Sequence, residues 1–182
     1  MRDDENQHRN GDNSAGEALN SYTFGLQARD RLAEEYPGSD TKSNTLLLFL
    51  NRTSAGFTEE LELKVHKPLG LTWSGYRLLF VLWIAGDLEP ARVAELTFTS
   101  RASVSSLSTA FINKGFVDRR PSETDGRSVL LSLTEEGKRI VQEAFEAQDR
   151  VQHELMSVLT DAEQEILQVL LSKMMIAGIS QK

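Results

Sequence analysis

The segment Asp125-Gly126-Arg127 combines an acid, a glycine and a base at a spacing that could present a single cation. Apolar residues alternate on both sides of it, and Thr134-Glu135-Glu136-Gly137 follows as a typical helix start. The pattern from Phe116 to Gly137 therefore predicts a strand, a loop, a second strand and the beginning of a helix. An arginine at the tip of this strand–loop–strand hairpin, the wing, suits the narrow and negative minor groove of duplex DNA.

A helix-turn-helix pattern lies directly upstream of the wing. Glu89-Pro90 begins a short predicted helix, because proline is favoured in a first turn, and we expect Val93, Ala94 and Leu96 to face inward. Phe98-Thr99-Ser100 is the predicted turn, in which Thr99 or Ser100 can cap the next helix.

The helix after this turn, from Arg101 to about Asn113, is the predicted recognition helix. Its expected inward residues are Ala102, Val104, Leu107, Ala110 and Phe111, and its expected outward residues are Arg101, Ser103, Ser105, Ser106 and Thr109. Lys114-Gly115 ends the helix with a cation followed by a glycine. A helix-turn-helix followed by a wing is typical of a DNA-binding winged helix.

Further amphipathic segments must hold this unit in place. The predicted helices cover Tyr22 to Tyr36, about Lys42 to Val65, Thr72 to Ile84, Thr134 to about Val158, and a last helix opened by the capping box Thr160-Asp161-Ala162-Glu163. The helix after Thr72 is apolar on nearly every side, so we expect several neighbours to bury it. The last two helices are too long and too apolar for a small winged core, so we expect them to pack against the N-terminal helices of a second copy.

Composition limits the classes of function. The chain has 182 residues, a formal charge of −7 and no cysteine, which excludes disulfides, thiolate metal sites and thiol-based sensing. Positive charge is concentrated where DNA contact is predicted: residues 97–131 hold five basic and three acidic side chains, a net charge of +2. The N-terminus lacks a signal peptide, and no apolar stretch approaches the length of a membrane span, so we expect a cytoplasmic protein.

The ordered set of motifs from Pro90 to Gly137 resembles the multiple antibiotic resistance regulator (MarR) family of bacterial transcription factors. The motifs are Ala94-Glu95-Leu96, Ser100-Arg101-Ala102-Ser103-Val104-Ser105, Lys114-Gly115-Phe116-Val117-Asp118-Arg119-Arg120, Asp125-Gly126-Arg127 and Leu133-Thr134-Glu135-Glu136-Gly137. The resemblance implies a mainly α fold, in which a winged helix-turn-helix domain is joined to a helical dimerisation domain built from the N- and C-terminal helices. The expected regions are a disordered acidic arm over 1–20, a dimerisation region over 21–70 and 140–182, and the DNA-binding domain over 71–139.

The resemblance also implies a set of DNA contacts. They are Arg101, Ser103, Ser105 and Ser106 on the recognition helix, Arg119 and Arg120 at the base of the wing, and Asp125 and Arg127 at its tip. Asp125 would orient Arg127 through a charge-assisted hydrogen bond, although a solvated ion pair in a turn is the alternative. The chain has Ser106 where relatives usually carry arginine or lysine, so fewer phosphates would be neutralised.

The resemblance further implies a small-molecule site where the helix from Trp73 meets the long first helix and the winged domain. Its candidate residues are Phe49, Arg52, Trp73, Tyr76, Arg77 and Phe80, with Phe57 nearby. A guanidinium beside flat aromatic walls suits an aromatic carboxylate, although aromatic residues at helical spacing also suit an ordinary core. His66 and His153 belong to no cluster with metal-ligand spacing, so neither a metal nor another cofactor is predicted.

The leading interpretation is a dimeric, sequence-specific transcriptional regulator, most simply a repressor released by a small aromatic or phenolic acid. Its expected partners are a pseudo-palindromic double-stranded DNA operator, a second copy of the chain and the acid effector, with no membrane. The alternative is a winged-helix protein-interaction module with weak DNA affinity. An enzyme is not predicted, because the sequence has no cysteine nucleophile, glycine-rich phosphate loop or His-Glu-x-x-His motif.

Overall fold

The computed structural model describes residues 20–121 and 129–179, over which the fold is mainly helical with one two-stranded antiparallel sheet. The helices are α1 Ser21–Glu35, α2 Thr41–Leu61, α3 Trp73–Ala85, α4 Pro90–Thr97, α5 Arg101–Asn113, α6 Glu135–Met156 and α7 Asp161–Ile179, and the strands are β1 Val117–Pro121 and β2 Val129–Leu133. The predicted order of elements is confirmed. The predicted wing-tip contacts Asp125 and Arg127, and residues 1–19 of the predicted arm, lie outside the described residues.

The helices begin at the residues whose side chains can cap them. The hydroxyls of Thr72 and Thr134 each accept a hydrogen bond from the amide three residues further on, at 3.1 and 2.9 Å. Before α7, Glu163 accepts from the Thr160 amide while the Thr160 hydroxyl accepts from the Glu163 amide, which confirms the capping box. Each cap satisfies an amide that helix geometry leaves without a partner.

The chain divides into two compact units after residue 55. In the N-terminal unit, α1 approaches α2 closely at Gly25, where an added Cβ atom would lie 2.6 Å from the Phe49 ring. A side chain at this position would therefore push the two helices apart or displace the ring. Glycine is what permits this contact.

The long first helix does not continue regularly to Val65, as the sequence predicted. The α-helix ends at Leu61, a wider π-turn covers Glu62–His66, and a short 3₁₀ turn covers Lys67–Leu69 before Gly70, whose φ is +67°. The extra residue in a π-turn rotates the side chains that follow it, and here it directs Val65 and His66 into the interior. Periodicity alone could not indicate this change, because it assumes a constant number of residues per turn.

The core of the C-terminal unit is built around α3. Leu78 and Leu79 of this helix are buried together with Val93, Val104 and Val117, along with Leu131, Ile140 and Val141. The sheet pairs Val117 with Leu133 and Pro121 with Val129. Burial of these aliphatic side chains is the main favourable contribution to folding of this unit.

The first turn of α6 packs tightly against the base of the wing. A Cβ atom added at Gly137 would lie 2.0 Å from the Phe116 carbonyl oxygen, which is backbone and cannot move aside. Thr134 makes two further hydrogen bonds here. Its amide donates to the Phe116 carbonyl at 3.1 Å, and its hydroxyl donates to the Gly115 carbonyl at 2.6 Å. The glycine in Thr134-Glu135-Glu136-Gly137 is therefore required by a close contact.

Several residues expected to face inward are exposed, namely Leu96, Ala102, Ala110 and Ile84. At about 100° per residue, Ala102 and Ala110 lie on the outer side of α5, opposite Val104. The buried arc is narrow and centres on Val104, with Phe111 on one side and Ser108 on the other. The Ser108 hydroxyl donates to the Ser105 carbonyl at 3.0 Å. The alanines were misassigned because their small apolar side chains carry little information about direction.

Candidate nucleic-acid interface

The outward face of α5 is the candidate DNA contact. Its predicted contact residues are all exposed, namely Arg101, Ser103, Ser105 and Ser106. The exposed side chains of the helix span an arc of about 200°, wide enough to meet both walls of a groove. The helix contains no acidic residue, and its one cation, Arg101, lies in the first turn. No charge on this helix therefore repels a phosphate.

The helix-turn-helix geometry fixes the end of α5 that carries Arg101. Ser100 is the N-cap: its hydroxyl accepts from the Ser103 amide at 3.0 Å and lies 2.8 Å from the Ser103 hydroxyl. Ser103 therefore supports the cap, although a hydroxyl with one proton and two lone pairs can still bind a further group. The structure selects Ser100 rather than Thr99, which the sequence left open.

The two arginines of β1 lie on opposite faces of the wing. Arg119 is paired with Leu131 and Arg120 with Leu130, and successive strand residues point to opposite sides. On the Arg120 face, the guanidinium Nη1 lies 4.0 Å from the Asp87 carboxylate. A phosphate that approached Arg120 would meet this negative charge, so the two adjacent arginines differ in their electrostatic surroundings.

A cleft of about 420 Å³ lies on the Arg120 face, between the end of α3, the two strands and the first turn of α6. Four of its five charged lining residues form two pairs: Lys138 contacts Glu135 at 2.7 Å, and Arg120 lies beside Asp87, while Asp118 is the fifth. The Ser132 hydroxyl also donates to Asp87 at 2.5 Å. These contacts show that the polar side chains lining the cleft at the base of the wing mostly bind one another.

The candidate effector residues of α3 form part of an aromatic stack. Trp73, Tyr76 and Phe80 follow one another along the helix, with ring centroids 6.1 and 5.6 Å apart. His66 stacks on Tyr76 at 4.7 Å, and Phe145 of α6 lies 6.3 Å from Phe80 at the other end. The structure therefore brings together three of the six predicted residues, and it adds His66 and Phe145.

Polar atoms are buried within this aromatic stack. His66 Nε2 lies 3.0 Å from Gln148 Oε1, so this nitrogen carries the proton that the amide oxygen accepts. His66 Nδ1 and the Tyr76 hydroxyl are buried without a hydrogen-bond partner among the described residues. Unpaired buried polar atoms are uncommon in native proteins. His66 Nδ1 thus offers a hydrogen-bond acceptor to a small polar group, and the Tyr76 hydroxyl offers a donor.

Burial sets the protonation of both groups. Loss of solvation lowers the pKa of His66 below 6.5, although the hydrogen bond to Gln148 opposes this shift. Burial also raises the pKa of Tyr76 to about 12. Both side chains are therefore neutral near pH 7. Sequence analysis missed His66 and Gln148 because the two residues are 82 positions apart.

The other three candidate effector residues have different surroundings. Arg52 lies in the N-terminal unit, where its guanidinium is 4.5 Å from the centre of the Phe24 ring and its Nε donates to the Ser21 carbonyl at 2.9 Å. Phe49 contacts α1 in the same unit. Arg77 of α3 is half-buried. We expected the Arg52 guanidinium beside the aromatic walls, but its contacts are with α1. Its role is therefore local: it holds α1 on α2.

The terminal helices expose apolar surface in the single chain. None of residues 161–178 of α7 is buried, and its exposed apolar side chains are Ile166, Leu167, Val169, Leu170, Met174, Met175 and Ile176. In the N-terminal unit the exposed apolar side chains are Tyr22, Phe24, Leu32, Tyr36, Leu46, Leu47 and Leu50. Among the described helices, none combines the length and the hydropathy needed to cross a membrane.

Comparison with known proteins gives consistent matches. The sequence profile of the MarR family matches residues 69–128. The uncharacterized HTH-type transcriptional regulator YwaE of Bacillus subtilis is 31% identical over 124 residues, which cover 68% of this chain and 72% of that protein.

Two solved structures illustrate the likeness of the fold. A mutant MarR from E. coli complexed with operator DNA has a TM-score of 0.65 at 23% identity, covering 79% of this chain and 96% of that one. PcaV from Streptomyces coelicolor in complex with its natural ligand has a TM-score of 0.63 at 21% identity, covering 72% and 92%.

Proposed function

Since this chain belongs to the MarR family of transcriptional regulators, we propose that it is a homodimeric repressor that a small aromatic or phenolic acid releases from its operator. The family assignment makes it a DNA-binding regulator and not an enzyme. Three separate regions of the molecule support operator binding, the dimer and the effector.

The observation that carries the proposal is the acid-free, exposed face of α5. This helix would lie in the major groove, with Arg101 directed at a base edge or phosphate and Ser103, Ser105 and Ser106 making shorter contacts. The wing would follow the adjacent backbone through Arg119, with a smaller contribution from Arg120 because Asp87 lies beside it. Arg127, oriented by Asp125, would enter the minor groove.

A second copy would cover the exposed apolar side chains of α7, α1 and α2. Leaving such a surface in water is unfavourable, and obligate dimer interfaces are more apolar than the rest of a protein surface. A two-fold axis would place the two recognition helices about 34 Å apart, in successive major grooves on one side of the duplex. The operator would then be a pseudo-palindrome.

The effector would bind at the aromatic stack. Its carboxylate would accept a hydrogen bond from the Tyr76 hydroxyl, and a second one from His66 Nδ1 once that ring is protonated. Its ring would pack against Trp73 or Phe80. Half-buried Arg77 is the candidate for longer-range charge neutralisation. Because His66 is neutral in the free protein, binding an anion would take up a proton and become tighter as the pH falls.

Release would follow if the effector binds more tightly to a dimer whose recognition helices are wrongly spaced for DNA. The test uses the full chain, its own promoter region and a panel of aromatic and phenolic acids. We expect fluorescence anisotropy to show that a dimer binds this DNA with an affinity that falls as salt rises. We also expect at least one acid to raise the melting temperature of the protein and to lower its affinity for DNA.

Each part of the proposal can fail separately. A monomer in light scattering at micromolar concentration would contradict the dimer, and loss of discrimination against random DNA would contradict sequence specificity. A stabilising acid that leaves the affinity for DNA unchanged would contradict the release mechanism. Binding that is insensitive to salt would instead favour the protein-interaction alternative.

A further inference from the structure

The turn between α4 and α5 holds an aromatic side chain in an unusual backbone conformation. Phe98 has φ 50° and ψ 40°, and among residues 20–121 and 129–179 no other residue except glycine has a positive φ. The side chain of Phe98 is 78% exposed. A large apolar residue is thus held in the left-handed region at the surface of the molecule.

The backbone conformation of the turn does not require phenylalanine. Two of the hydrogen bonds that close the turn are made by backbone atoms: the Phe98 amide donates to the Glu95 carbonyl at 3.2 Å, and the Thr99 amide donates to the Ala94 carbonyl at 3.0 Å. Glycine or asparagine would adopt this conformation with less strain. Strained residues of this kind occur preferentially at functional sites. The ring is therefore a candidate for a functional contact.

The neighbours of Phe98 make the turn rigid. Thr97 is buried, and its hydroxyl donates to the Val93 carbonyl at 2.7 Å. On the other side, Ser100 caps α5. Since both flanks are anchored, the ring is carried on a fixed support and little conformational entropy is lost when it makes a contact.

The position of the turn identifies the surface that the ring can meet. Phe98 precedes the N-cap of α5 by two residues, so it lies at the same end of the recognition helix as Arg101. The N-terminal end of a recognition helix is the end that approaches the base edges in the major groove. There the apolar group available for contact is the 5-methyl group of thymine, which phenylalanine can recognise.

We propose that Phe98 is a specificity-determining residue whose ring packs on the 5-methyl group of a thymine at one edge of each operator half-site. This inference rests on the proposed function, in which α5 enters the major groove. Because the ring is uncharged, the contact would distinguish sequences without changing the number of phosphates that the protein neutralises. It would thereby add to base recognition on a helix that has a single cation.

The test begins with a duplex selected by the full-length protein from a random-sequence pool. Each thymine is then replaced by deoxyuridine, which removes only the methyl group, at the two symmetric positions together. At one pair of symmetric positions, we expect this replacement to weaken binding of the wild-type dimer by about four-fold per site. This is the factor expected for one methyl group removed from an apolar contact.

Two variants at position 98 complete the test. Phe98→Gly and Phe98→Asn keep the left-handed turn but lack the ring, so we expect both to melt at or above the wild-type temperature. Both should bind the thymine duplex more weakly than the wild-type protein does and should be insensitive to deoxyuridine at the same positions. The dependence of affinity on salt should remain that of the wild-type protein.

Three results would overturn the inference. The first is a wild-type protein insensitive to deoxyuridine at every position, and the second is a Phe98→Gly variant that retains the wild-type sensitivity. The third is an equal loss on selected and random DNA, which would make the ring a backbone contact. If Phe98→Gly bound DNA normally but failed to control transcription in a purified system, the ring would contact a protein instead.

Arg101→Ala separates this inference from the proposed function. If Arg101→Ala loses affinity while Phe98→Gly keeps both its affinity and its deoxyuridine profile, only the role of Phe98 fails. If the wild-type protein enriches no duplex at all, the proposed entry of α5 into the major groove fails, and the role of Phe98 fails with it.

Discussion

The outward face of α5 and the aromatic stack along α3 are both candidate binding surfaces, but they are related to stability in opposite ways. The outward side chains on α5 are exposed and contribute little to the core, whereas His66 and Tyr76 are buried and carry polar atoms with no hydrogen-bond partner among residues 20–121 and 129–179. Substitutions on α5 should therefore change binding and leave folding intact. Substitutions in the stack should change stability and binding together, and in some cases in opposite directions.

The largest effect should come from Arg101→Ala, which removes the one cation of the recognition helix. We expect a loss of about 1–3 kcal/mol in binding to the selected duplex if Arg101 reaches a base edge, with an unchanged melting temperature. Anisotropy titrations on selected and random duplexes measure this. Equal losses on both would make Arg101 a phosphate contact, and a lower melting temperature would assign it to the fold.

Tyr76→Phe should separate stability from effector binding within the stack. Removing a buried hydroxyl that has no partner in the described part of the chain should leave the free energy of unfolding unchanged or raise it by about 1–2 kcal/mol. The same change should abolish stabilisation by the aromatic acid. Thermal melts with and without the acid measure both quantities, and Tyr22→Phe, which removes a tyrosine hydroxyl outside the stack, is the matched control. Destabilisation by Tyr76→Phe would mean that the hydroxyl has a structural partner.

Ser106→Arg should strengthen binding to DNA by up to about five-fold, since it adds one exposed cation near the phosphates. The slope of log affinity against log salt should become steeper by about 0.9 if one further phosphate is neutralised. Ser74→Arg, an exposed position on α3, is the control for total charge. An identical gain in both variants would show that net charge, rather than position on α5, determines the effect.

His66 should give the smallest effect, a change of stability with pH. The unfolded side chain has a pKa near 6.5, and burial lowers the pKa in the folded state. Between these two values the unfolded chain binds more protons, so the free energy of unfolding should fall as the pH drops below about 6.5 and level off below the folded pKa. Denaturant titrations at several pH values measure this. His66→Gln should remove the dependence, whereas exposed His153→Gln should leave it unchanged.

The parts of the fold that depend on local signals could be predicted from the sequence. The capping residues Thr72, Thr134 and Thr160, and the glycines that end helices, act within three or four residues, so their chemistry is visible in the sequence itself. Strand alternation and helical spacing then gave the order of the winged domain and most of the outward face of α5, although Ala102 and Ala110 were placed inward. These elements are confirmed.

The effector region could be predicted only in part. The aromatic residues of α3 share one helix, so their spacing indicated the stack, but the partner of His66 is on α6. His66 is the last residue of the π-turn, and helical periodicity gives no sign of such a turn. Likewise, the two arginines of β1 were grouped because they are adjacent, although strand geometry places them on opposite faces.

The close contact between Gly137 and the Phe116 carbonyl, with the hydrogen bonds of Thr134, ties the first turn of α6 to the base of the wing. Gln148, which binds His66, lies eleven residues further along this helix, about 16 Å from the joint. Helix α6 can therefore act as a lever: a tilt of a few degrees caused at the His66 end would swing the hairpin by an ångström or so. Under the proposed function, a ligand bound beside His66 would in this way move the wing through a single stiff helix, without any unfolding along the path.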